Sequence, residues 1–461
     1  MKGLFYDQNK MKPFSDKKKS LIINPLGDNG FHFAFNFENP TGVKLLTNSA
    51  AQRLISIIND EKPIDLNNSI DFSLNKSGLI TEAILNTKSS DKKLSVWLHA
   101  VDACNLSCFY CYIPKLKKAV AIESNTLNKF SMNSQDAIVI ADNLIAYCKN
   151  NEIENLHVKF AGGEPALNIN LIDYFCAHIK KQSDIFVSFG MLTNGVFDSS
   201  QVIPVLQRHK ISLSISLDGY ELSHDEIRFE IVGKRKHGTW AKIFENIQSA
   251  LSVDIHPYFL YTITPSNNSD LFKFSDFIHE LGLGYRLSLI RSKESYPSEI
   301  QYEIIGNLSK LYRNLGENLD VNLPIARYAK FSEWNIKKKK DIVCTSSRKY
   351  VAIDQNGNIS SCQMNMNNKF GNLLKNELEL SLGRMKTDSH LLKIASPNLR
   401  DGICNSCEYF YVCSGGCPEH TIKSFGTIDV PSPWCKVFGS LVPIYIESIA
   451  RQMLKNVRNK I

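Results

Sequence analysis

The chain has 461 residues, 43% of them hydrophobic and 22% charged, enough for a large core and two or three domains without disulfide staples. No stretch approaches the roughly 20 apolar residues of a membrane span, and the opening MKGLFYDQNKMKPF lacks the apolar segment of a secretory signal, so a cytoplasmic protein with no membrane partner is expected. The net charge of +8 is spread along the chain; lysine runs at 17–19 and 337–340 read as solvated surface, and no aromatic-interleaved basic stripe marks a nucleic-acid binder.

Residues 1–92 differ in texture from the rest of the chain. Phe31, Phe33, Phe35 and Phe37 alternate with smaller or polar residues, as a strand with one buried face does, and Asn48 is placed to cap a helix over roughly 49–58. This predicts a small N-terminal α+β domain. From about residue 94, short apolar runs alternate with amphipathic helical segments, the pattern of βα units around a parallel sheet. Six strands are predicted, over 94–100, 156–160, 185–192, 211–217, 258–263 and 285–290. In the helix predicted over 135–147, Ala137, Ala141, Leu144, Ile145 and the adjoining Cys148 share one face, as Ile172, Phe175, Cys176 and Ile179 do in the next. Cys148 and Cys176 therefore read as small buried hydrophobes. A helical stretch over 299–315 and a polar linker come after the last strand, and no internal repeat stands out.

In a reducing compartment, twelve cysteines point to metal ligation or catalysis, and ten remain once the two core residues are set aside. The first group, Cys104-Asn-Leu-Ser-Cys108-Phe-Tyr-Cys111, falls on the loop at the C-terminal end of the first strand, where parallel α/β architectures put their active sites. Three thiolates so close can wrap one face of a 4Fe-4S cube and leave its fourth iron open. A Cys₃ zinc site completed by a distant residue is the rival, and structural zinc ligands more often come in CxxC knuckles. Gly162-Gly163-Glu164-Pro165 follows the second strand, and Thr193-Asn194-Gly195 follows the third. Ser216-Leu-Asp218-Gly219, with His224, Asp225 and Arg228, follows the fourth. A second block reads Cys344, Gly357, Cys362, then Cys404-x2-Cys407-x5-Cys413-x3-Cys417-x17-Cys435.

In this order the motifs resemble the radical S-adenosylmethionine superfamily, and the second block resembles its SPASM extension, found in peptide maturases and anaerobic sulfatase-maturing enzymes. The resemblance implies an α/β fold: a partial (βα)6 TIM-like barrel over 93–310, a helical bridge and linker over 311–340, and a C-terminal SPASM iron-sulfur domain over 341–461. It implies that Cys104, Cys108 and Cys111 hold the radical 4Fe-4S cluster and that Tyr110 contacts the adenine of S-adenosylmethionine. The Gly162, Gly163, Glu164 and Pro165 turn would receive the amino group, glycines letting backbone carbonyls approach it. Ser216 would meet the ribose or carboxylate, Arg228 the carboxylate as a fork, and Leu289 the adenine. His224 and Asp225 read equally well as helix-start residues.

By the same resemblance Cys404, Cys407, Cys413 and Cys435 would ligate one auxiliary 4Fe-4S cluster, and Cys344, Cys362 and Cys417 a second that lacks one cysteine. Sulfatase-maturing members place a general-base aspartate after the cysteine that here is Cys362, but the residue is Gln363, which cannot accept a proton at neutral pH. That favours cross-linking of a ribosomally made peptide, through a C–C, C–O or C–S bond, over oxidation of a protein Ser or Cys. The partners implied are a precursor peptide or protein and a one-electron donor such as flavodoxin or ferredoxin. Residues 20–90 loosely resemble winged-helix leader-peptide recognition elements, which bind a leader as an added strand; a packing domain without ligand is the equal alternative. A zinc-stabilised binding module without catalysis is the rival of another class.

Overall fold

The computed structural model describes residues 21–27, 30–59, 61–80, 92–112, 127, 129–292, 296–320, 322–337, 344, 349–395, 404 and 406–459. The lysine run at 17–19 and most of the one at 337–340 lie outside them. A three-stranded antiparallel sheet comes first, β1 (Leu21–Pro25), β2 (Phe31–Asn36) and β3 (Lys44–Thr47). The phenylalanine alternation divides its two faces. Phe33, Phe35 and Phe37 join the main core, while Ala34 and Leu46 pack with Ala51 and Leu54 of the helix Asn48–Ile58 and with Leu74 of the helix Ser69–Lys76. The cap of the first helix is Thr47, whose hydroxyl accepts from Ala50 N at 3.4 Å; Asn48, predicted to cap, is already helical because β3 runs into the helix without a linker.

The six predicted strands are present. They are β4 (Lys93–Val101), β5 (Asn155–Gly162), β6 (Phe186–Thr193), β7 (Ser212–Ser216), β10 (Tyr258–Ile263) and β11 (Tyr285–Leu289), all parallel, with a separate hairpin β8 (Phe229–Val232) and β9 (Arg235–Gly238) between β7 and β10. Helices Ser134–Asn150, Ile169–Gln182, Ser199–His209, Trp240–Leu251 and Leu271–Glu280 alternate with them. Leu98, Val158, Met191, Ile215, Tyr261 and Leu287 form the apolar layer of the sheet, and Cys148 and Cys176 sit within that core with no measurable exposure.

The sheet is larger than predicted. It has ten strands in the order β12-β11-β10-β7-β6-β5-β4-β13-β14-β15, where β12 is Ala329–Phe331, β13 is Tyr350–Ile353, β14 is Asn358–Ser360 and β15 is Gly371–Asn372. Strands of two to four residues carry too little alternation to be read from sequence. The pairing of β13 parallel to β4 carries the sheet directly into the second cysteine region. The predicted boundary at 310 falls inside one helix, Ser298–Asn318, which packs along the last helix, Cys435–Arg458; a Cβ on Gly316 would stand 2.8 Å from Ser448 O.

Candidate functional site

The cysteine loop leaves β4 through an irregularity between His99 and Val101, which turns the strand end toward Cys104. The Gly162-Gly163 turn is stitched to this loop. Gly163 N donates to Val101 O and Glu164 N to Ala103 O, both at 2.9 Å. A Cβ would meet Val101 O at 2.0 Å from Gly162, whose φ is +126°, and Ala103 O at 2.0 Å from Gly163. The space freed by these glycines is thus filled by the cysteine loop itself, a use that their sequence alone does not suggest.

Glu164 is fully buried and clamps two turns together. One carboxylate oxygen accepts from Ala166 N at 3.0 Å and Thr193 Oγ1 at 2.5 Å, and the other from Asn194 N at 2.7 Å. Burial pushes its carboxyl up to about 7, against those three hydrogen bonds and the charge of Arg228. Asn194 in turn donates from Nδ2 to Asn105 Oδ1 at 2.7 Å and to Cys104 Sγ at 3.7 Å. Pro165 begins the short turn of helix that comes next.

A second buried group supports Cys108. Arg228 donates from Nε to Asp218 Oδ2 at 2.6 Å, from Nη2 to the Tyr110 hydroxyl at 2.5 Å and from Nη1 to Cys108 Sγ at 3.6 Å. The Tyr110 hydroxyl also donates to Asp218, whose other oxygen accepts from Thr262 N at 2.7 Å. The fork expected to await a carboxylate is therefore occupied by Asp218 and Tyr110 here. Asp218, quoted in the motif without a role, is what orients it. Ser216 ends β7 half-buried, and its hydroxyl has no hydrogen-bond partner among the described residues. The Leu289 side chain lies in the apolar core, on the face opposite Arg286 and Ser288, so its backbone alone is left for a ligand. His224 is fully buried between Asp218 N and the Thr239 hydroxyl, and Asp225 accepts from Thr239 N and Trp240 N; both anchor the next helix.

The donor set at Cys104, Cys108 and Cys111 suits an anionic iron-sulfur cluster. Burial, then the charges of Glu164 and Cys108, pushes the Cys104 thiol up, and three N–H donors are aimed at sulfurs, from the Leu106 backbone and the Asn194 side chain to Cys104 and from Arg228 to Cys108. Such donors set a cluster's potential, and metal ligation removes the thiol proton that burial retains. His99 also presents a buried Nε2 without a partner among the described residues, its Nδ1 lying 2.9 Å from Asp102. No three His, Cys, Asp or Glu among the described residues are grouped to hold a single metal ion.

The second block divides into two groups. Cys404, Cys407, Cys413 and Cys435 line one cavity, floored by Tyr409, Phe410 and Phe438. Cys362, pushed up to about 12 chiefly by burial, lies within the field of Cys417 and Cys344. Arg291 faces Cys417 and Cys362 and pairs with Glu333 at 2.9 Å. Gln363 accepts a hydrogen bond from the Tyr350 hydroxyl at 2.5 Å. Tyr112 feels both Cys111 and Cys362, so the first cysteine group and this one adjoin. Neither Tyr112 nor Arg291 stands out in the sequence, where each lies outside any cysteine spacing.

Residues 99–278 match the family model for the Radical SAM superfamily. Over 351 residues the chain is 22% identical to the radical SAM cyclopropyl synthase TigE of Paramaledivibacter caminithermalis, covering 72% of this chain and 70% of that one. It is 23% identical to the cysteine-type anaerobic sulfatase-maturating enzyme of Clostridium novyi, covering 76% and 94%. The solved structure of anSMEcpe with bound AdoMet has the same fold, with a TM-score of 0.61 at 16% identity, covering 77% of this chain and 98% of that one.

Proposed function

Because the chain belongs to the radical SAM superfamily and is a radical SAM enzyme, we propose that it is a peptide maturase, one that abstracts hydrogen from a ribosomally made peptide and closes a cross-link. Cys104, Cys108 and Cys111 would hold the radical cluster. With that cluster and S-adenosylmethionine bound, the chemistry supplied is reductive cleavage to a 5′-deoxyadenosyl radical, strong enough to take hydrogen from an unactivated carbon. This chain's residues fix the geometry. Glu164 and Asn194 lock the glycine turn against the Cys104 loop, and Asp218 and Tyr110 hold the Arg228 guanidinium against Cys108 Sγ. The free hydroxyl of Ser216 is left for the ribose or carboxylate, and the bound nucleoside would be oriented with water excluded.

Cys404, Cys407, Cys413 and Cys435 would hold one auxiliary cluster, and Cys344, Cys362 and Cys417 another. The observation that carries the cross-linking reading is Gln363. Its amide oxygen is taken by the Tyr350 hydroxyl, so the position beside Cys362 offers an orienting contact and no carboxylate base. The test is anaerobic incubation of reconstituted enzyme with S-adenosylmethionine, reductant and a sulfatase peptide bearing the target cysteine. The expected result is 5′-deoxyadenosine with the peptide unchanged; its conversion to formylglycine would overturn the cross-linking reading.

A further inference from the structure

On the face of the parallel sheet opposite its apolar layer, cations gather that form no ion pair among the described residues. On β5, Lys159 alternates with Val158 and Phe160, whose side chains belong to the apolar core, so it projects to the concave side. There its ammonium lies 5.8 Å from the ring centre of Trp97, its partner in the β4–β5 register. On β11, Arg286 alternates with the core residues Tyr285 and Leu287 and stands in register with Lys330 of β12. Three strands separate β5 from β11 in the sheet, yet Lys159 and Arg286 act on each other electrostatically, as Arg286 and Lys330 do. The sheet is curved enough for each to lie within the other's field.

Among the described residues, none of the three makes an ion pair. Glu333, the acid that Arg286 feels, is bonded to Arg291 at 2.9 Å. The Trp97 indole N–H is buried with no acceptor among the described residues. Two half-buried cations beside a buried, orphaned donor are costly, and an anion offsets that cost.

We propose that this part of the lumen is a carboxylate pocket for the peptide substrate, with Lys159 and Arg286 as its ionic partners and the Trp97 N–H as a further donor. The proposal rests on the peptide-maturase reading. It narrows the substrate to peptides that present an acidic side chain, or their own C-terminus, within reach of the transferred hydrogen. Lys159 lies three residues before Gly162, about 10 Å of strand, which sets the pocket on a different level from the glycine turn.

The test is affinity selection by the reconstituted enzyme, saturated with S-adenosylmethionine, from two pools of random synthetic peptides, one ending in free carboxylates and one amidated. Retained peptides from the amidated pool should be enriched in Asp or Glu if a side chain fills the pocket; preference for the free-acid pool alone assigns it to the C-terminus. In either case Lys159→Gln and Arg286→Gln should each weaken the carboxylate preference by about tenfold, and Lys159→Arg should keep it. A wild-type enzyme that retains peptides with no carboxylate preference in either pool overturns the pocket, as does a preference that both neutral variants keep. The maturase reading fails separately, when wild-type enzyme makes no 5′-deoxyadenosine.

Discussion

At the scale of single residues, the site is a set of short-range ties between groups far apart in sequence. Arg228 is the centre of one. Arg228→Lys keeps the charge but loses the fork that holds Asp218, Tyr110 and Cys108 at once, so 5′-deoxyadenosine formation should fall by at least about tenfold, with a shift in the cluster's reduction potential read by electrochemistry. Cys104→Ala should abolish 5′-deoxyadenosine altogether. Lys159 gives a prediction on stability. Burial, then the charge of Arg286, lowers its amine to about 8, and His157 beside it on β5 adds no acid. Unfolding therefore takes up a proton between pH 8 and 10.5, so this residue's contribution is most favourable above pH 10.5, declines as pH falls and levels off below about 8. Lys159→Met should melt higher than the parent at pH 7, by up to roughly 3 kcal/mol, with the difference closing toward pH 10.5. The cysteines and the glycine turn were legible because a few contiguous residues make each motif. The bond from Arg228 to Cys108 was not, since it spans 120 positions and exists only once β4 and β7 share a sheet.

At the scale of elements, the contact that matters is the one between two loops. Gly163→Ala would put a methyl 2.0 Å from Ala103 O, and that carbonyl belongs to the backbone that leads into Cys104. The loop must move, and 5′-deoxyadenosine formation should drop at least about tenfold. Gly306→Ala is the contrasting case. It lies within the helix Ser298–Asn318, with nothing within 4 Å of the added methyl, and should raise the melting temperature through a gain of roughly 0.5–1 kcal/mol. Six strands were readable because each is long enough for apolar residues to recur. Ala329–Phe331 and the strands beyond Tyr350 were not, being fixed by partners already in the sheet rather than by their own pattern. The helix start at Thr47 was missed by one position for a related reason, a strand that passes into a helix with no turn residue between.

At the scale of the whole molecule, Cys404, Cys407, Cys413 and Cys435 line one cavity and Cys344, Cys362 and Cys417 lie in one another's field, the two groups proposed above to hold an auxiliary cluster each. Reconstituted protein should then carry about twelve irons per chain with matching sulfide, and Cys344→Ala about eight, as measured by iron and sulfide analysis. Zinc in place of iron, without sulfide, would contradict the assignment. The union of barrel and cysteine-rich region through β4 and β13 also bears on how the chain can be divided. A fragment stopped short of Tyr350 would present Ser95 to Leu98 with their amides bare along an open border, a template for the same border on another copy. Such a truncated sheet should collect in inclusion bodies, and the segment from Tyr350 onward doubles as the guard that keeps the parallel sheet from sticking to itself.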